Sequence, residues 1–237
     1  MHENQGESGV GDESQAGDGQ SGEGGKGSKS GSQAGGRRDA PEQAALYVGI
    51  DLGTSRSSIS TSSGQRHVVE SYVGWPVDMV ARKVLDRDIL IGGDAVEQRL
   101  MLDLHRPLES GLIKEGSEKD AEAVRELLRH LLKLAGADEG SRNGRKVRAV
   151  VGVPAKALRT NKQQLRAAMS GFVDSLMIVS EPFAVAYGLD ALLHTLIVDI
   201  GAGTADFCVM NGRYPTDEDQ RTLTQAGDSV DDQLRKL

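Results

Sequence analysis

Ile50-Asp51-Leu52-Gly53-Thr54-Ser55 and Val198-Asp199-Ile200-Gly201-Ala202-Gly203-Thr204 follow one plan: an apolar strand running into an Asp, then at once a turn containing Gly and Thr. The plan suits a triphosphate with a divalent cation. Phosphate oxygens are held by backbone N–H groups, which approach closely only where side chains are small, and carboxylates face the metal through its water shell. Gly53, Gly201 and Gly203 meet the first need, and Asp51 and Asp199 the second. A single strand followed by Asp-x-Gly is an ordinary hairpin signal. Its recurrence on a second apolar strand is what points to a nucleotide.

Thr54 and Ser55 add backbone N–H groups and hydroxyls within reach of a β- or γ-phosphate, and Gly201-Ala202-Gly203-Thr204 can wrap the same phosphates from the opposite side. Two such turns make a clamp that closes on the ligand, a hinge-type switch. Between them lies Ser180-Glu181-Pro182-Phe183-Ala184-Val185-Ala186-Tyr187-Gly188, in which Pro182 opens a helix and leaves Glu181 at its N-terminal edge. A carboxylate there can orient a water toward a γ-phosphate, because phosphoryl transfer is mainly positioning and charge stabilisation. It equally suits an acid that only complements the helix dipole. The residues alone leave both roles open.

Working outward, Ala45–Ile50 reads as a buried strand, and Ser57–Thr61 with His67–Val73 continue it as an antiparallel meander. Residues 75–115, with short apolar runs at Val84-Leu85 and Ile89-Leu90-Ile91, suggest a small inserted subdomain. Val124, Leu127, Leu128, Leu131 and Leu134 follow the helical repeat and predict a helix over Glu118–Ala135, with Ser117 and Asp120 as a capping box. A strand at Val147–Val153, a helix at Leu158–Gly171, a strand at Leu176–Val179 and a helix from Pro182 to Leu189 come next. Strands at His194–Ile200 and Thr204–Met210 flank the second turn, and a last helix begins at Val230. Alternating strands and helices give an α/β architecture.

Composition bounds the function. Residues 1–40 hold twelve of the thirty glycines and almost no aliphatic residues, so they cannot offset the entropy of ordering, and residues 1–44 read as a disordered Gly/Ser-rich tail. Lys26, Lys29, Arg37 and Arg38 read as keeping that tail solvated, with an interaction segment as the alternative, and no apolar core of a signal peptide is present in it. A net charge of −7 and 3% aromatic residues argue against a nucleic-acid partner. No apolar run reaches the roughly 18–20 residues of a membrane span, and the single cysteine, Cys208, in an apolar stretch, reads as buried packing in a reducing compartment. Together these predict a cytoplasmic protein. Gly140-Ser141-Arg142-Asn143-Gly144-Arg145-Lys146 lacks the Gly-Lys-Ser/Thr ending of a P-loop and precedes a strand, so it reads as a solvated loop. His2, His67, His105, His130 and His194 have no ligand spacing, and no transition-metal site is expected.

Gly49–Ser55, Gly152-Val153-Pro154-Ala155, Ser180-Glu181-Pro182-Phe183 and Asp199–Asp206 together resemble, in order, the phosphate and connecting motifs of the actin-like ATPase superfamily. Within that superfamily the likeness is to the bacterial actins of magnetosome-bearing cells, through Val179–Phe183, Tyr187–Asp190, Ile197–Gly203, Glu218–Gln220 and Ala226-Gly227. It covers about residues 46–237.

The resemblance implies an actin-like, ribonuclease H-like α/β fold: a first domain over residues 45–195, with a small outer subdomain at about 76–112, and the start of a second domain over 196–237. It implies ATP and Mg²⁺ as cofactors. Asp51 and Asp199 would hold the metal through water, while Gly53, Thr54, Ser55, Gly201, Ala202, Gly203 and Thr204 would cradle the phosphates. Glu181 would position the hydrolytic water, with Asp199 as its catalytic partner, and Gly227 would approach the nucleoside. Self-association into cytoplasmic filaments near magnetosome membranes, with magnetosome-associated proteins as partners, is also implied. The family continues past the helix begun at Val230, so a truncated second domain is expected. Two further readings remain: an accessory or truncated paralogue that modulates a full-length filament, and a small-molecule kinase of the same superfold.

Overall fold

β1 (Leu46–Leu52) buries Leu46, Val48, Ile50 and Leu52 and turns Tyr47, Gly49 and Asp51 to its other face, the period-two pattern of a strand lying on a core. The Gly53–Ser55 turn leads to β2 (Arg56–Thr61), and a second turn to β3 (Arg66–Glu70), which gives the antiparallel meander read from the sequence. The computed structural model describes residues 44–109, 112–114, 118–138 and 144–237. The expected tail up to residue 43, Ser117 of the capping box and residues 140–143 of the polar loop lie outside the described residues.

After the meander, β4 (Val73–Pro76) enters a separate small sheet. α1 (Met79–Leu85) follows, started by Asp78, whose carboxylate accepts the Ala81 N–H at 2.8 Å. Val84-Leu85 is therefore helical. β5 (Leu90–Ile91), α2 (Gly93–Glu97) and β6 (Leu102–His105) complete this unit in the strand order β5-β4-β6, around a core of Leu90, Ala95 and Leu102. A hairpin of β7 (Leu108–Glu109) and β8 (Leu112–Ile113) leads back.

α3 (Glu118–Leu134) is the long helix that the periodicity predicts, with Val124, Leu127, Leu128 and Leu131 fully buried. Leu134 is exposed instead: it is the last residue of the helix and lies at the edge of the buried stripe, while Leu132 and Ala135 are buried. β9 (Val147–Val153) runs parallel to β1. α4 (Arg159–Met169) then packs beside α3, and β10 (Ser175–Ser180) runs parallel to β9, so the sheet order is β10-β9-β1-β2-β3. The far face of this sheet keeps Tyr47, Val150 and Met177 exposed.

α5 (Glu181–Gly188) starts directly after β10 with Pro182 in its first turn. β11 (Leu193–Ile200), β12 (Ala205–Asn211) and β13 (Gln220–Leu223) form an antiparallel sheet whose core holds Ala186, Ile197, Met210 and the fully buried Cys208. β13 is short and polar, and its sequence carries no strand signal. α6 (Gly227–Leu234) begins upstream of the expected Val230, with Gly227 as its first residue. Among the described residues no helix is long and apolar enough to cross a membrane.

Candidate functional site

The turn after β1 is fixed by sterics and by hydroxyls behind it. A Cβ on Gly53 would lie 2.3 Å from the Arg56 carbonyl oxygen, a distance no side chain tolerates, so this tight return into β2 requires glycine. The buried Ser71 donates its hydroxyl to the Gly53 carbonyl at 2.7 Å and shares a 2.9 Å hydrogen bond with the buried Ser57. Thr54 is itself buried.

The second turn is closed by the Gly201 N–H donating to the Thr204 carbonyl at 2.8 Å. Its outer carbonyls are capped by α6: the Gly227 N–H donates to Gly201 at 3.1 Å and the Asp228 N–H to Ala202 at 2.8 Å. A Cβ on Gly227 would sit 3.3 Å from the Gly201 carbonyl oxygen and 3.4 Å from the Ala202 Cα. Gly227 thus packs on the back of this turn.

The two turns face each other across one cavity of about 330 Å3, lined by Asp51, Gly53, Thr54, Ser55, Glu181, Asp199 and the Gly201–Thr204 turn, together with Leu52, Arg56 and Asp206. Every residue singled out from the sequence lines it except Gly227. Gly227 lies outside this lining, and its lack of a side chain permits the close approach of α6 to the second turn.

Glu181 reaches the cavity floor because Gly152 on the neighbouring β9 leaves it room; a Cβ there would come within 3.0 Å of the Glu181 Cγ. Asp206, quoted in a motif but given no role from the sequence, is almost fully buried, and its Oδ1 accepts the Ala155 N–H at 3.1 Å and the Thr222 hydroxyl. The acid-rich floor disfavours ionisation. Loss of hydration, then the charges of Asp51, Asp206 and Asp199, push the Glu181 carboxyl up to about 9. Asp51, which keeps an edge on the open cleft, is raised by desolvation and then by Asp199. Asp199 is raised by desolvation and then by Asp206.

Among the described residues no three carboxylates are grouped closely enough to ligate a metal directly, so a divalent cation would be held here through its water shell, where it would relieve the repulsion between carboxylates, and the glycine turns offer amides to anionic oxygens beside it. His105 has another duty: its Nδ1 lies 2.9 Å from Asp120 and its ring meets Trp75 edge-on, tying β6 to α3.

A family model described as MreB/Mbl protein matches residues 45–237. The actin-like protein MamK of Paramagnetospirillum magneticum is 44% identical over 190 residues, which are 80% of this chain and 54% of that protein. A MamK double helical filament structure superposes with a TM-score of 0.76 at 44% identity, over 81% of this chain and 58% of the other. A non-polymerising MamK mutant bound to AMPPNP superposes with a TM-score of 0.67 at 42% identity, over 81% of this chain and 58% of that chain. The fold is that of the actin-like proteins. The chain spans about half the length of the curated relatives it matches.

Proposed function

The chain belongs to the MreB/Mbl family of actin-like proteins, and from that membership we propose that it binds ATP with Mg²⁺ between its two glycine turns, hydrolyses the terminal phosphate bond and assembles into filaments. The observation that carries the reading is the convergence of Asp51, Asp199 and Glu181 on one cavity walled by both turns. A structure of MamK bound to AMPPNP and another of a MamK filament lend it support from relatives.

Asp51 and Asp199 would hold Mg²⁺ through water, and the metal would supply neutralising charge at the phosphate oxygens. The amides of the turns bind the phosphates. Glu181 keeps its proton while the acidic floor is uncompensated, and gives it up once the charge on Asp51 and Asp199 is balanced. Its carboxylate then accepts a hydrogen bond from the attacking water and aligns it with the phosphorus. The identity with MamK supports a narrower proposal, that the filaments are cytoplasmic and organise magnetosomes together with magnetosome-associated proteins.

A second reading is a catalytically weak accessory that modulates a longer filament subunit. The exposed Leu196, Val198 and Ile200 on β11 favour it, since they present an apolar strand to another chain. Right-angle light scattering with negative-stain microscopy after adding Mg²⁺-ATP, beside a Mg²⁺-free control and a phosphate-release assay, separates the two. Nucleotide-dependent filaments with phosphate release support the first. Absence of both overturns it, and altered assembly of a full-length MamK by the added chain supports the second.

A further inference from the structure

Arg106 lies in the link between β6 and β7, outside the motifs that mark the phosphate turns. Its Nε donates to the Thr54 carbonyl at 3.0 Å, and its Nη2 donates to the two oxygens of Asp228 at 2.9 and 3.2 Å. Thr54 belongs to the first turn. Asp228, the second residue of α6, is 122 residues beyond Arg106 in the chain, and its own N–H donates to the Ala202 carbonyl in the second turn at 2.8 Å. A continuous run of hydrogen bonds therefore joins the turns, from Thr54 through Arg106 and Asp228 to Ala202.

Peptide geometry gives this run a purpose. In a trans peptide the N–H points opposite to the C=O of the same unit. Holding the Thr54 carbonyl from behind aims the Ser55 N–H away from Arg106, and holding the Ala202 carbonyl aims the Gly203 N–H away from Asp228. Ser55 and Gly203 both line the cavity between the turns. We propose that Arg106 is a positioning residue of the nucleotide site: through Asp228 it sets the separation of the two turns and aims their amides at one polyphosphate. The inference rests on the nucleotide reading above. Arginine suits the task because its rigid planar fork fixes the directions of its bonds to a carbonyl and a carboxylate, which a freely rotating ammonium does not.

A merely structural ion pair would behave differently. The side chains of Arg106 and Asp228 are 30% and 41% exposed, and a pair so open to water adds little to global stability. Using the whole chain with Mg²⁺ and a fluorescent AMPPNP, Arg106→Ala is expected to raise the dissociation rate roughly tenfold. The unfolding midpoint is expected to move by less than about 3 °C. Arg106→Lys should release nearly as fast, and Arg106→Ala with Asp228→Ala no faster than either alone. An unchanged dissociation rate in a protein that binds the analogue, or additive effects in the double variant, overturns the proposal.

If the unsubstituted chain does not bind the analogue, the nucleotide reading fails, and the coupling is read from amide hydrogen exchange in the free protein. The Ser71 N–H bonds to Ser55 at 2.9 Å and the Gly201 N–H to Thr204 at 2.8 Å, so each reports on one turn. Arg106→Ala is expected to speed exchange at both while leaving β9 unchanged. Acceleration at one turn only, or at neither, overturns the proposal.

Discussion

The backbone N–H of Ala155, just past the end of β9, donates to the Oδ1 of Asp206 on β12 across 3.1 Å, and so ties the five-stranded sheet to the three-stranded one beneath the cavity between the two turns. The Thr222 hydroxyl on β13 donates to the same oxygen. One buried carboxylate thereby joins the end of β9 to β12 and β13 and supplies negative charge to the cavity floor.

Asp206→Ala strips the Ala155 amide and the Thr222 hydroxyl of their acceptor, and a buried donor left unpaired costs about 1–3 kcal/mol. Asp206→Asn keeps the accepting Oδ1 and removes the charge, so it is expected to preserve stability and to lower the Glu181 pKa. Urea unfolding of the two variants checks the first expectation, and carboxyl titration by NMR the second.

Glu181→Gln is expected to bind Mg²⁺-ATP as the unsubstituted chain does and to release phosphate at least about a hundredfold more slowly, the usual scale for losing a positioned acid or base. Filaments of the variant should then persist. Phosphate release unchanged by the substitution would sink the water-positioning role.

Asp199→Ala acts on binding itself. A carboxylate that holds a metal through its water shell typically contributes about 10- to 100-fold in affinity, and a loss of that size for Mg²⁺-nucleotide is expected. Calorimetry with and without Mg²⁺ gives the answer: equal affinities in variant and parent would remove Asp199 from the metal site.

The pH dependence of the ligand-free protein follows from Glu181. Its carboxyl titrates near 4.5 when unperturbed and at about 9 in the acid-rich cavity. Between these values the folded state holds a proton that the unfolded state has released, so stability falls as pH rises through the window and levels off above it. Asp51 and Asp199, both raised, act in the same direction at the acidic end. Glu181→Gln should flatten the profile and gain on the order of 1–3 kcal/mol at pH 8 while changing little at pH 4. Denaturant melts at the two pH values provide the measurement.

What the sequence determined by itself is whatever repeats locally. The alternation of β1 and the stripe of α3 were legible because burial imposes periods of 2 and 3.6 on neighbouring residues, and the glycine turns because a tight return of the chain confines its residue types to a few adjacent positions. Gly53 and Gly201 carried that signal directly. Tertiary structure alone decided the rest. Nothing near Arg106 in the sequence names Asp228 as its partner, because a contact spanning 122 residues leaves no spacing to read and involves two common residue types. That Gly227 is the point where α6 meets the second turn was likewise not legible, since only packing says what a glycine makes room for. Asp206 gained its place when β9 and β12 were brought together, and β13 when its polar residues found the edge of β12.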